Sequence, residues 1–349
     1  MRAVLLRRFG GLDALELEDV EDPRPGPGEA LVRVNATAVN RLDLWVRENL
    51  GHAYSAKLPL IPGYDVAGEV VELGPGLDTP AVGMRVYVHY DYSCGRCEWC
   101  LAGEEALCPE YAVMGVNRDG GYAELVCAPA RNLFPLDERV SADVAAAAGS
   151  VYLTALHMLF ARGALRAGES VLVTAAGSGV GGAALQLAKW AGAGVLATAG
   201  SEPKRRRALE LGAVRAFDYG EPGWGEAVRD ATGGRGVDLI VDHTGSESFG
   251  EALHALAPLG RIVICGASSG SAVQLDLIDL FARQIAVIGS SDGTRRELLE
   301  VLRLLNEGTI APVIDRVLPL ERAAEAQEAL ARRDHFGRIL LAPTAATRP

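Results

Sequence analysis

Apolar and polar positions alternate in two different ways along this chain, and the change falls near its middle. Up to about residue 150 the apolar stretches are short and broken by turn residues, as in AVLL at 3–6, VAGEVVELGPG, MRVYVHY and YAELVCAP. The stretch PRPGPGEALVRVNATAV places a Pro/Gly turn directly before one of them. This pattern predicts short β-strands closing a small barrel-like domain. From about residue 168 continuous apolar runs take over: SVLVT, GVLATAG, RAFDY, VDLIVDH, GRIVICG and QIAVIGS. Between them lie AALQLAKWAGA, EPKRRRALELGA, WGEAVRDATG, SFGEALHALAPLG and LDLIDLFARQ, whose apolar residues recur at helical spacing. Strands that are apolar on both faces, each followed by a helix, predict a doubly wound parallel sheet. The tail adds the helix RRELLEVLRLLNEG and a last strand GRILLAP, expected to return to the first domain. The resulting division is 1–150, 151–291 and 292–349.

Composition narrows the classes of function. A chain of 349 residues exceeds one ordinary core. A net charge of −11 argues against nucleic acid or an anionic membrane as partner and leaves a small-molecule substrate. The start MRAVLLRRFGG has no sustained apolar segment, and no run of about 20 uninterrupted apolar residues follows, so a cytoplasmic location is expected. Cys127 and Cys265 stand alone in apolar runs and read as buried core residues.

Two local motifs carry chemistry. Cys94, Cys97, Cys100 and Cys108 form a C-x2-C-x2-C-x7-C lobe. Four thiolates within so short a span suit a closed tetrahedral zinc site with no open position for substrate. Disulfides are the rival reading for a secreted protein. The second motif follows SVLVT, where Gly177, Gly179 and Gly182 satisfy G-x-G-x-x-G between a strand and a helix. Such a turn brings backbone N–H groups to a pyrophosphate at the positive end of the helix, although a tight turn in an unrelated α/β protein reads alike. NAD enzymes usually place a carboxylate at the end of the next strand. Here that strand ends Ala199-Gly200-Ser201 and continues Glu202-Pro203-Lys204-Arg205. Ser201, Lys204 and Arg205 suit a ribose 2′-phosphate, so NADP(H) is the expected cofactor, with NAD(H) open because Glu202 could reach a ribose. A solvated helix face over 204–207 is the plainer alternative.

AVNRLD at 38–43, GYDVAGEVVELGPG at 63–76, the cysteine lobe, the turn at 175–182 and VDHTG at 241–245 together resemble the medium-chain dehydrogenase/reductase superfamily from end to end. Within it the chain is similar to the zinc-binding alcohol dehydrogenase and quinone oxidoreductase branch. The resemblance implies a GroES-like β-barrel-type domain plus a Rossmann domain (α/β class), an active site in the cleft between them, and a homodimer or homotetramer built on the QIAVIGS edge. It implies cofactor contacts from Thr154, from Gly177, Ser178, Gly179, Val180 and Gly181, and from Tyr219 beside a 2′-phosphate. Thr244, Gly245, Gly266, Ala267 and Ser268 would line the adenosine and nicotinamide ends, and Arg338 would lie near the phosphates.

The departures from the family pattern matter as much. Zinc alcohol dehydrogenases carry cysteine where this chain has Asn40, and His-Glu where it has Tyr64-Asp65. The place near Ser150, where a third ligand commonly lies, is unsuited as well. A single strong ligand cannot hold zinc, so a catalytic metal is expected to be absent unless His52, His89 or His157 supplies ligands. Asn40 with Asp43 is similar to the N-x-x-D of quinone oxidoreductases, which need no catalytic metal. The expected activity is hydride transfer from NADPH to a quinone or enone. Tyr64 or water would supply the proton, Asn40 would orient the nicotinamide ribose or donate to the substrate oxygen, and Asp43 would brace Asn40. Plainer roles are an interface packing for Tyr64 and a helix cap for Asp43. The alternatives are a zinc alcohol dehydrogenase with a rebuilt metal site, and a cofactor-binding sensor without turnover.

Overall fold

The structure, a computed structural model, describes residues 1–50 and 56–343. His52 therefore lies outside the described residues. The chain divides into two units, one formed by Met1–Gly149 and the segment from Ala311 onward, the other by Ser150–Ile310.

The first unit is built on a seven-stranded sheet. Its order runs Ile314–Pro319, Arg338–Ala342, Glu29–Ala38, Asp65–Leu73, Arg85–Val88 and Leu133–Pro135, with Leu125–Pro129 also paired to Glu29–Ala38. Alternation decides which side chains turn inward. Ala30, Val32 and Val34 are fully buried, and they share a core with Val66, Val70, Val86 and Val88. The late strand Arg338–Ala342 sits inside the sheet, with Leu340 opposite Ala38 and Leu341 opposite Thr37. That register brings Arg338 to the turn where Glu29–Ala38 gives way to the helix Arg41–Glu48.

The second unit carries a six-stranded, wholly parallel sheet. Its order is Arg215–Phe217, Gly194–Thr198, Ser170–Val173, Val237–Asp242, Leu256–Ile264 and Ala286–Gly289. Numbered along the chain this is 3-2-1-4-5-6, the Rossmann order, whose switch point lies between strands 1 and 4. Leu172, Ile240 and Ile262 are fully buried in this unit's core, as covered strands require.

The return to the first unit begins at Ala311, later than the expected 292. The helix Arg295–Asn306 explains the shift. It buries Leu298, Val301 and Leu304, and Glu297 on its first turn bonds His157 of the second unit at 2.9 Å. The helical stretch Ala142–Arg162 is long and apolar enough to cross a bilayer, but 78% of its most apolar window is buried in the protein.

Candidate active site and metal lobe

The cysteine lobe folds around its own sulfurs. The Sγ atoms of Cys94, Cys97, Cys100 and Cys108 all lie within 4.8 Å of one another, with Cys94 to Cys100 at 3.9 Å and Cys97 to Cys100 at 3.5 Å. A tetrahedron with Zn–S of about 2.3 Å has edges of about 3.8 Å, so the set fits zinc. Backbone N–H groups point at the sulfurs: those of Arg96 and Cys97 at Cys94, and those of Cys94 and Glu110 at Cys108. The Arg96 and Cys97 donors draw the Cys94 thiol down to about 6, which favours the thiolate a metal needs. All six cysteines are free of disulfides. Among the described residues no other set of three or more His, Cys, Asp or Glu converges in this way.

A different cluster forms where Asn40 and Asp65 meet the returning strand. Asp65 is fully buried. Its Oδ2 accepts from Arg338 Nη2 at 2.6 Å and from Asn40 Nδ2 at 3.0 Å, while Oδ1 accepts from the Tyr87 hydroxyl at 3.1 Å. Arg338 Nη1 donates to Asn40 Oδ1 at 2.8 Å. The second amide hydrogen of Asn40 goes to Ala38 O at 3.1 Å. This donor set does not fit a zinc ion: Asp65 is held by a guanidinium, and Asn40 and Tyr64 offer neither thiolate nor imidazole. Asn40 cannot donate to a substrate oxygen, because both of its amide hydrogens are already donated. Arg338, placed near the cofactor phosphates by resemblance, commits both Nη atoms to Asn40 and Asp65.

Asp43 lies one helical turn away and is equally enclosed. Its Oδ2 accepts from the backbone N–H of Asn40 at 2.8 Å and the hydroxyl of Tyr122 at 2.9 Å. Burial raises its carboxyl to about 7; those two bonds and Arg338 pull it down, and the charge on Asp65 pushes it up further. Asp43 thus closes the start of the helix Arg41–Glu48 and holds the Asn40 backbone. Tyr64 is half-buried and meets Tyr90 edge-on, ring centres 4.9 Å apart. Of the suggested additional ligands, His89 lies 3.8 Å from Asp91 against the ring of Phe134, and His157 is paired with Glu297. Sequence reasoning missed Tyr87 and Tyr122. The available signal was a tyrosine at an inward position of MRVYVHY, since a buried phenol needs a partner for its hydroxyl.

In the second unit the glycine turn leads into the helix Gly179–Trp190. Ser178 caps it, its Oγ accepting from Gly181 N at 2.9 Å and lying 2.7 Å from His243 Nε2. A Cβ at Gly181 would sit 2.5 Å from Ala175 O, so only glycine permits this curl of the backbone. The open N–H groups at the start of the helix suit a pyrophosphate, and the turn fits a dinucleotide. Val180 is half-buried on the first turn, and Thr154 is half-buried in the helix Ala142–Leu156. Asp242, fully buried, gathers the loop after the fourth strand: its Oδ1 accepts from Thr174 Oγ1 at 2.8 Å and its Oδ2 from Gly245 N at 3.3 Å. Thr244 Oγ1 bonds both Asp242 and Ser248. The segment of Gly266, Ala267 and Ser268 folds onto that loop, Ser268 Oγ donating to His243 O at 3.3 Å. At the second strand's end, Ser201 and Lys204 are half-buried and Arg205 is ion-paired with Asp218 and Glu202. Asp242 and Asp218 were not singled out in the sequence, because a lone aspartate at a strand end has many uses.

Two family descriptions match the chain: "Alcohol dehydrogenase GroES-like domain" over 26–138 and "Zinc-binding dehydrogenase" over 179–307. An NAD-dependent alcohol dehydrogenase of Sulfolobus acidocaldarius is 36% identical, covering 99% of this chain and 100% of the relative. A quinone oxidoreductase of Rattus norvegicus is 32% identical over 94% of this chain and 93% of the relative. A crystal structure described as an NAD-dependent alcohol dehydrogenase is 45% identical with a TM-score of 0.95, covering 99% of this chain and 100% of that one.

Proposed function

Because the chain belongs to the zinc-binding alcohol dehydrogenase and quinone oxidoreductase branch of the medium-chain dehydrogenase/reductase superfamily, we propose that it reduces a quinone or an enone with a nicotinamide dinucleotide. In this reading Cys94, Cys97, Cys100 and Cys108 hold one structural zinc, and no metal sits at Asp65. The observation that carries the reading is the engagement of Asp65 by Arg338, Asn40 and Tyr87. Oxidising an alcohol needs a Lewis acid or its equivalent to stabilise an alkoxide. Quinones and enones ask for less, since their reduced oxygens are delocalised.

The bound dinucleotide would supply hydride from C4 of its reduced nicotinamide. The chain's own part is to bind, orient and protonate. The N–H groups of Gly177, Gly179 and Val180 would hold the pyrophosphate, with Thr244, Gly245 and Gly266–Ser268 bordering the rest of the cofactor. Tyr64, half-buried, would give its hydroxyl proton to the reduced oxygen and regain one from water. Asn40, with both amide hydrogens spent, serves as a fixed wall rather than a donor, and Asp43 keeps it in place. A second copy of the chain is part of the proposal. The edge strand Ala286–Gly289 and the helix Leu277–Ala282 expose Leu277, Ile278 and Phe281 by about two-thirds each, an apolar surface suited to self-association.

A second reading, a zinc alcohol dehydrogenase, is favoured by the names of the relatives at 36% and 45% identity. One preparation separates the two. One zinc per chain with turnover of quinones or enones supports the proposal, whereas two zincs with alcohol oxidation replace it. Tyr64→Phe should lower kcat by roughly 10²-fold or more if its hydroxyl is the acid. Unchanged turnover would assign the proton to water.

A further inference from the structure

The second and third strands of the parallel sheet end side by side. Thr198 is in register with Phe217, and Ala199 N–H donates to Phe217 O at 2.9 Å. The residues that follow, Gly200 on one strand and Asp218-Tyr219 on the other, therefore meet at the carboxyl edge. Tyr219 covers Gly200 so closely that a Cβ there would lie 2.5 Å from the phenol oxygen. A side chain at this point of the second strand, where NAD enzymes usually carry the carboxylate that binds the ribose, would have to displace Tyr219. The carboxylate comes from the neighbouring strand instead. Asp218 Oδ1 accepts from Gly220 N at 2.9 Å, and its Oδ2 accepts from Arg205 Nη1. Arg205 Nη2 also reaches Glu202 Oε2 at 3.2 Å. The side chains of Arg205 and Asp218 are only 20% and 27% exposed, whereas that of Glu202 is 64% exposed.

We infer that Asp218 sets the choice of cofactor by holding Arg205, so that the chain disfavours a ribose 2′-phosphate and works with NADH. The inference rests on the dinucleotide reading above. A free arginine at this edge is the group that would grip a 2′-phosphate through two parallel hydrogen bonds. Paired with Asp218, its charge is cancelled, and an incoming phosphate of about −2 meets a carboxylate at the same place. The mostly exposed Glu202 adds little to the hold. Arg205, counted in the sequence as a cation for NADP(H), is thus withheld by a residue thirteen positions further along.

The test is the dissociation constants of NADH and NADPH, titrated by fluorescence against the zinc-loaded wild type, Asp218→Asn, and Asp218→Asn combined with Arg205→Met. Asparagine keeps the bond from Gly220 N and removes only the charge. The wild type should favour NADH, and Asp218→Asn should tighten NADPH about tenfold relative to NADH. The double variant should lose that gain. An unchanged ratio in Asp218→Asn, a gain that survives without Arg205, or a wild type that prefers NADPH would each overturn the inference. A wild type that binds neither dinucleotide would instead bring down the dinucleotide reading, and the inference with it.

Discussion

The cysteine lobe and the Asp65 cluster belong to the same unit, and in zinc alcohol dehydrogenases the counterparts of both are metal sites. Here they solve the problem of concentrated charge in opposite ways. The lobe gathers four sulfurs with no cation of the protein's own among them, and backbone N–H groups turn toward the sulfurs. The Asp65 cluster brings its own cation, Arg338, which bonds both Asp65 and Asn40. One arrangement is incomplete without an ion; the other already holds its carboxylate with a guanidinium, an amide and a phenol. The presence of a metal-binding ancestry therefore says little about a given site until the partners of its acidic residue are counted.

The strongest way to break this contrast is to remove a sulfur. Cys108→Ser should lose the zinc altogether and unfold the lobe, since the free energy of binding a structural zinc is on the order of 10 kcal/mol. Metal content should fall from one per chain to near zero, with a lower Tm. A stable, zinc-replete variant would mean that the four sulfurs are not the site. The next largest effect belongs to the ion pair. Arg338→Met alone should cost roughly 3–5 kcal/mol by leaving a buried, unpaired carboxylate, and adding Asp65→Asn should recover much of it. Urea midpoints measure both, and equal losses in the single and double variants would refute the pairing.

These two regions were unequally legible in the sequence, for a physical reason. The cysteines converge because fifteen consecutive residues curl on themselves, so spacing alone announces them. Asp65 and Arg338 are 273 residues apart and meet only because the last strand inserts beside Glu29–Ala38. No local pattern records that meeting. The six parallel strands were readable because burial on both faces forces continuous apolar runs. The start of the return segment was not, since the helix Arg295–Asn306 shows one apolar stripe whichever unit it packs on. Arg205 looked available because its partner Asp218 comes from the next strand.

A third effect, similar in size to the second, is carried by pH and concerns Asp43. Its carboxyl rises from 3.8 in the unfolded chain to about 7 in the fold. The stabilisation of the protonated form is thus complete below about pH 4 and is lost as pH climbs through 7, up to about 4 kcal/mol over the interval. Asp43→Asn should flatten that slope in stability measured between pH 4 and 8. A slope that is unchanged would place the titration elsewhere and leave Asp43 ionised within the cluster.

The strand that delivers Arg338 is also synthesised 273 residues after Asp65. While the ribosome makes the first three hundred residues, Asp65 has no guanidinium to meet, and the sheet around it has a gap where Arg338–Ala342 belongs. The second unit, by contrast, is contiguous and can finish its own sheet before Arg338 is made. Assembly is therefore ordered by connectivity: the dinucleotide-type unit can be ready early, and the residues beside Asn40 are locked by a closing stitch. A chain stopped before residue 338 would keep its glycine turn yet leave the Asp65 carboxylate without its cation, a natural mark for quality control to find.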